Sequence, residues 1–573
     1  MQGEELSTSI LVLIAGILII GVAIAKAAER YRVPHPIPLV LTGLAMGRVL
    51  ITLNPGTPLF QIAGFDFIAQ LTLATVLFYA GLTLDLRELR LSIQNVILLA
   101  TVGVLATALI GGFAIEASMA AIGIPVGIAA FLIGAILAPT DPAALFSVLE
   151  SGGVRVKRKL FSILEGEAVF NDATSVILVI LVFEPIVIAS LANLTGGTNW
   201  GLIAAEFLAS MGLGVLLGYI VARIIGWAIP KAGDETNVSI LTATTPFLAY
   251  GLGELFTVFA IHPGALAAVF AGLFIANARM INIAPLPQRS MRGVMKNVSF
   301  FFEIVVFILL GYTLSVPLIE GDPSTETIAF IIANPSILGL GLLTAGLVIL
   351  VARPISVFIV TAGDRKMGPK ERFFLSWAGI KGVASAALAA IAVTVIIHYS
   401  SESSFVTAIS KVVPTIYAIV FIVLLVSLIV QGLSTSLLAS ILGLTEKVDR
   451  AKEITVHRDA TRQALLNLVD KYTEGKVEAP IYSRLKAELE EEIFTLEDEL
   501  RRVVSEKRAR VQELGIREDI FKTKLEFYEK QFESGMISEG TFQELKSDLE
   551  AEIEEVANRI RFQEEGITQE ENS

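Results

Sequence analysis

No cysteine occurs anywhere in the 573 residues. That absence excludes disulfides, thiolate metal sites and cysteine nucleophiles, and leaves the redox compartment open. Charge is also scarce. Asp, Glu, Lys and Arg make up 17% of the chain, against roughly 25% in soluble proteins. The shortage is confined to residues 1–445, because residues 446–573 hold about half of all charged side chains and nearly all of the formal net charge of −12. The acidic balance is therefore a property of the tail, and no nucleic-acid partner is implied. Basic residues are missing ahead of the first apolar run, which is preceded instead by Glu4 and Glu5. A signal peptide wants a basic start and a shorter apolar core, so this run reads as a first membrane helix.

What is present in quantity is apolar. Hydrophobic residues make up 54% of the chain. Crossing a hydrocarbon layer takes about 20 apolar residues per helix. The chain offers about thirteen such runs, over 7–28, 35–51, 66–82, 94–116, 122–149, 160–190, 200–229, 239–260, 263–280, 298–318, 336–362, 372–398 and 411–443. The border between the eighth and ninth rests on His262-Pro263-Gly264 alone. Loops after odd-numbered runs are basic, as in Arg155, Lys157, Arg158 and Lys159, or Arg365, Lys366, Lys370 and Arg372. Loops after even-numbered runs are uncharged or acidic, as in Glu320-Gly321-Asp322. This alternation predicts a multi-pass cell-membrane protein with its N-terminus outside and its tail in the cytoplasm.

The fold class expected is all-α: a transmembrane domain over 1–445 and a cytosolic tail over 446–573. In the tail Leu, Ile and Val recur at helical steps among charged residues, punctuated by Gly475, Gly515 and Gly535. This predicts a solvated helical hairpin or coiled coil with a regulatory role. It contains no GxGxxG after a strand, so no nucleotide is expected there, and no cofactor is expected elsewhere.

Ionisable groups inside apolar runs are costly and usually functional. The fifth run contains Ala138-Pro139-Thr140-Asp141-Pro142. Two prolines remove backbone donors and break the helix, and the freed carbonyls can ligate a cation. A plain kink with Asp141 capping a helix start would explain the prolines, but not a carboxylate in mid-membrane. The sixth run contains Glu165, Glu167, Asn171 and Asp172 within eight residues. Glu167 and Asn171 share a helix face, and Asp172 lies deeper. Burial favours the neutral form of a carboxylic acid, so a group like Asp172 can hold either a proton or a small cation. The twelfth run contains Trp377-Ala378-Gly379-Ile380-Lys381-Gly382-Val383-Ala384-Ser385. Its glycines permit unwinding or close approach, and Lys381 needs a carboxylate, for which Glu167 is the expected partner. Glu184, Glu206, Glu254 and Glu303 read as interfacial or as stabilising helix contacts, and His262 as interfacial.

The PTDP of the fifth run, the GExxxND of the sixth and the WxGxKGxxSxAL of the twelfth, in that order and spacing, resemble the monovalent cation/proton antiporter superfamily. The branch is the NhaP and eukaryotic sodium/proton exchanger type. His262-Pro263-Gly264-Ala265-Leu266-Ala267 ahead of Ala271-Gly272-Leu273 is similar to it as well. The resemblance covers the membrane part and not the tail. It implies thirteen helices in inverted repeats, a homodimer, and two crossed unwound helices, here the fifth and twelfth. It implies that Asp172 binds the ion and the proton, assisted by Asp141 and the Thr140 carbonyl. Asn171 would hold the crossing, and Glu167 would pair with the basic residue of the twelfth run. Exchange of Na⁺, K⁺ or Li⁺ for H⁺ follows, Na⁺ foremost, in the service of pH homeostasis. The Asn-Asp pair goes with electroneutral 1:1 exchange. The chain departs from the pattern in having Lys381 where the family usually has Arg, Ala168 where some relatives have Ser, and Phe78-Tyr79-Ala80-Gly81-Leu82 where some have an acid. Two rival classes are a cation channel, which lacks a filter-like repeat here, and a membrane scaffold or receptor acting through its tail. The latter leaves Asp141, Asp172 and Lys381 unexplained.

Overall fold

A computed structural model describes residues 2–571, apart from 32, 54–61, 91, 122–126, 152–153, 192–198, 282–285, 319–324, 401–405 and 447–449. The chain forms two compact units, Met1–Glu446 and Lys447–Ser573.

In the first unit each of the thirteen apolar runs contains helix among its described residues. Among the described residues, seven helices are uninterrupted, long and apolar enough to cross a membrane. Shorter apolar helices cover Ala15–Ala28, Pro36–Leu50, Gly264–Ala276 and Val383–His398. The fifth and twelfth runs are each split in two. The fifth gives Ala129–Ile136 and Pro142–Ser151, and the twelfth gives Pro369–Trp377 and Val383–Ser400. Pro142 opens its half-helix at the first turn, where a missing N–H costs nothing.

The middle of the unit belongs to the helices that carry the polar motifs. Residues 380–393 are all buried, and six of those fourteen are alanine, which lets neighbouring helices come close. Helix Arg158–Ile177 is buried from Ser162 to Ile177 with few interruptions, and continues as a π-helical stretch, Leu178–Phe183. Further π stretches occupy Val348–Ala352 and Ser427–Gln431. Such turns are rare and often stand at functional sites. Large apolar side chains on the outer helices, among them Phe113, Leu208, Trp227, Leu350 and Ile359, are exposed, as lipid-facing residues must be.

Two ties close this unit beneath the motif-bearing helices. Arg155–Val156 pairs antiparallel with Thr445–Glu446, and Lys157 N–H donates to Leu444 O at 2.9 Å. In the loop after Val360, Asp364 accepts from Asn95 Nδ2 at 2.8 Å and Lys366 N–H at 2.8 Å, and pairs with Lys159 at 3.2 Å. Partial burial pushes the Asp364 carboxyl up, but the donors, Asn95 first, outweigh it and hold the group below its ordinary value. A carboxyl lowered by folding stabilises above its unfolded pKa and loses that contribution as pH falls through the folded one. The Asp364→Ala variant is therefore expected to melt a few degrees lower than wild type at pH 7. The gap should narrow only below about pH 4, which thermal unfolding in detergent at several pH values checks.

The second unit is three helices, Arg450–Thr473, Ala479–Glu533 and Glu539–Glu571. The turns between them pass through Gly475 (φ 72°) and Gly535 (φ 75°), left-handed positions that glycine takes without steric cost. A stacked aromatic pair flanks each turn, Tyr472 on Tyr482 and Phe532 on Phe542. Gly515, expected as punctuation, lies inside the 55-residue middle helix. A single glycine costs a helix about 1 kcal/mol, which a helix of that length absorbs.

Candidate functional site

The two breaks face each other. Leu137–Asp141 interrupts one membrane segment and Ala378–Gly382 the other, and Asp141 N–H donates to Ile380 O at 2.7 Å. Four half-helix ends thus meet in the interior, each with backbone groups that need partners.

Asp141 supplies two of them. Its Oδ1 accepts from Ala144 N–H at 3.0 Å, capping its own half-helix, and its Oδ2 accepts from Val383 N–H at 3.3 Å, at the start of the neighbouring one. One buried carboxylate sits on two helix N-termini, where the dipole favours negative charge. Gly382 makes this possible, because a Cβ there would occupy the space of the Asp141 carboxylate.

Lys381 serves the opposite pole. Its Nζ donates to Ala138 O at 3.2 Å and Pro139 O at 3.1 Å, carbonyls freed where Ala129–Ile136 ends. A cation at a helix C-terminus is favoured by the same dipole. Lys381 N–H donates to Ser427 Oγ at 2.9 Å, Ser427 bonds Gln431, and Gln431 Nε2 donates to Trp377 O at 2.6 Å. The π stretch of the last membrane segment thereby supports the end of the half-helix Pro369–Trp377.

The pairing expected between Lys381 and Glu167 is not what forms. Glu167 pairs with Arg353, whose Nη2 lies 2.5 Å from Oε1, and both side chains are almost wholly buried, at 1% and 2% exposure. The physical reason is a division of labour. The ammonium is held by the carbonyls at a helix end, and the guanidinium takes the carboxylate. Glu167 remains within electrostatic reach of Lys381. Gly379 opens the passage for the guanidinium, because a Cβ there would crowd Arg353 Nε and Thr140 Cγ2. Arg353 is a residue that the apolar-run reading passes over. Its signal is a lone arginine ahead of Pro354 inside the run 336–362.

Asn171 joins the site helix to the first break. Its Nδ2 donates to Thr140 Oγ1 at 2.7 Å, and Thr140 N–H reaches Asn171 Oδ1 at 3.5 Å. Asp172, one residue on, is 4% exposed. Its Oδ1 has no hydrogen-bond partner among the described residues, and it lies within electrostatic reach of Asp141 and Lys381. A buried carboxylate oxygen with no donor is expensive unless something else occupies it. A bound proton or a small cation would satisfy it.

The remaining acids separate. Glu303 is buried and pairs with His35 at 3.0 Å. Glu184 is buried, with Oε2 unpartnered among the described residues, while Glu206 and Glu254 are partly exposed. Asp66, which opens the third run and which sequence reasoning left out, is partly buried, accepts from Gln70 at 3.2 Å and interacts electrostatically with Glu184. His262 is partly exposed, and its N–H donates to Ser210 Oγ at 3.0 Å.

Buried carboxylates and bases at a crossing of two broken helices define a class of membrane transporter. The sequence comparison agrees. Residues 14–440 match the family described as "Sodium/hydrogen exchanger, transmembrane", and the chain belongs to that family, as an integral multi-pass membrane protein. Among similar proteins is the "Probable Na(+)/H(+) antiporter 2" of Methanocaldococcus jannaschii, 27% identical over 434 residues, which cover 74% of this chain and 94% of that one. Another is the "K(+)/H(+) antiporter NhaP" of Alkalimonas amylolytica, 26% identical over 464 residues, covering 78% and 70%. The fold is similar to the solved structure of the sodium proton antiporter MjNhaP1 from Methanocaldococcus jannaschii at pH 8. The TM-score is 0.61 with 22% identity, over 74% of this chain and 99% of that one.

Proposed function

We propose that this chain is a secondary antiporter that exchanges a monovalent cation, Na⁺ foremost, for H⁺ across the cell membrane by alternating access. The observation that carries the reading is the Asp172 carboxylate, buried beside Asp141 and Lys381 with an oxygen that no described residue satisfies. Cation and proton compete for that oxygen, so one leaves when the other binds. Asp141 and the Thr140 carbonyl assist the cation, and Asn171 keeps the Thr140 break against the site helix. Glu167 and Arg353 hold the surrounding helices as a neutral pair. With Asn171 in front of Asp172, one carboxylate changes occupant per cycle, which gives one cation for one proton. Thirteen crossings in inverted repeats, a homodimer, an outside N-terminus and a cytoplasmic tail complete the proposal.

The experiment is exchange in proteoliposomes with Na⁺, K⁺ and Li⁺ over a range of pH. Cation-driven proton movement that leaves the membrane potential unchanged supports the reading. A linear current persisting without a proton gradient indicates a channel instead, and absence of any cation movement indicates a scaffold or receptor.

The tail, residues 446–573, regulates and does not transport. It has no apolar stretch long enough to add a crossing. Its removal is expected to shift the pH profile or the maximal rate while leaving the Na⁺/K⁺ preference unchanged. A truncated protein with altered preference in the same liposome assay would count against this assignment.

A further inference from the structure

Glu303 and His35 stand 268 residues apart in sequence and meet as a part-buried pair close to the site. His35 Nε2 lies 3.0 Å from Glu303 Oε1, the two side chains are 18% and 9% exposed, and Phe300 packs edge-on against the imidazole. His35 precedes helix Pro36–Leu53, and Glu303 lies on Gln288–Leu314. Both interact electrostatically with Asp141, with opposite signs, without touching it. A packing role alone would be met by any hydrogen-bonding pair. Here the partner is imidazole, the one side chain that ordinarily changes charge between about pH 5 and 8.

We propose that His35 is a positioning residue which sets, through Glu303, the charge beside Asp141, so that pH on its side of the membrane tunes cation affinity. With the imidazole protonated, the pair is neutral and contributes no field. With it deprotonated, the Glu303 carboxylate is uncompensated and attracts a cation toward Asp141. Helices packed against Gln288–Leu314 also carry Asp66 (on Ile62–Thr83), Glu235 and Glu254 (on Glu235–Glu254) and His398 (on Val383–Ser400), but the pair is what acts on Asp141. Lys26 and Arg30 on helix Gln2–Arg30 are exposed, as is Lys296, two turns before Glu303 on its own helix. Glu29 and Glu150 also belong to the neighbouring helices, Arg48 stands more than three turns along from His35, and residues 427–441, which pack beside Pro34, contain no ionisable group. The basic loops after the first and ninth runs place His35 and the start of helix Gln288–Leu314 on the cytoplasmic side, so cytoplasmic pH is the variable sensed.

The inference rests on the exchange proposed above, and its test separates the two. KM and maximal rate for Na⁺ are measured in proteoliposomes from pH 6 to 8.5 for wild type, His35→Gln, His35→Arg and Glu303→Gln. His35→Gln keeps a hydrogen bond to Glu303 but has no charge, so KM at pH 6 should fall, by about twofold to tenfold for a unit charge at this range, and meet wild type at high pH. His35→Arg is permanently charged, so KM at pH 8.5 should rise by a similar factor while pH 6 is unchanged. Glu303→Gln should raise KM at high pH, with maximal rates close to wild type throughout. Opposite shifts from the two His35 variants are not expected of a structural lesion, which would move both the same way. The proposal is overturned if the two shift together, if both superimpose on wild type, or if only the maximal rate changes. Exchange that persists in Asp172→Asn removes Asp172 from the site, whereas wild-type protein that moves no cation sinks the antiport reading itself.

Discussion

Asp172→Asn is expected to reduce exchange to the level of protein-free liposomes while leaving the protein folded. The amide keeps the shape of the carboxyl and removes the charge. It can neither take up a proton at neutral pH nor neutralise a bound cation, so both half-reactions fail together. Stability should not suffer, because Asp172 Oδ1 accepts no hydrogen bond from a described residue, and removing a buried charge relieves a desolvation cost. The thermal midpoint in detergent is expected to match or exceed wild type. Cation-driven pH changes within a few-fold of wild type would remove Asp172 from the site. Asp141→Asn makes an informative contrast: it should lower exchange less completely, and it should cost stability, since Asp141 is also bonded to two helix starts.

The second large effect is structural. Arg353→Ala leaves the Glu167 carboxyl 1% exposed and without its guanidinium. Removing one member of a buried ion pair costs about 3–5 kcal/mol, enough to unfold many membrane proteins during purification. The expected result is a much lowered thermal midpoint or an aggregated product in size-exclusion chromatography. Adding Glu167→Leu should recover most of the loss, because the uncompensated charge is gone. Lys381→Ala is expected to be milder, since the ammonium it removes bonds carbonyls rather than a carboxylate. A stable Arg353→Ala protein, or a double variant no better than the single, would show that the pair does not hold the fold in this way.

These contrasts show how far the sequence could be read. Pro139 and Pro142 around Asp141, and Gly379 and Gly382 around Lys381, announce both breaks locally, because proline and glycine act on their own backbone. The four-residue step from Glu167 to Asn171 places both on one helix face for a similarly local reason. Partner choice is different. A sequence shows that a buried carboxylate needs a base, and it points to Lys381 among the motifs while Arg353 goes unnoticed in an apolar run. What decided between them was a third party, the carbonyls of Ala138 and Pro139, which only the assembled crossing brings beside Lys381. His35 and Glu303 were out of reach for the same reason, since nothing in either local stretch points to the other. Asp66 escaped because it stands at the edge of its run, where an acid is easily taken for a solvated end.

The arrangement at Gly382 has a consequence for how such chains can diverge. The Asp141 carboxylate fills the volume where any side chain at 382 would begin, and it bonds the N–H of Val383 next door. A residue other than glycine at 382 would evict the acid, and a larger residue at 141 would press on the opposite strand of the crossing. The two positions lie 241 residues apart in sequence, yet sterically they form one site. Across related chains the acid at 141 should be found with glycine at 382, and lineages that lose either should have replaced both.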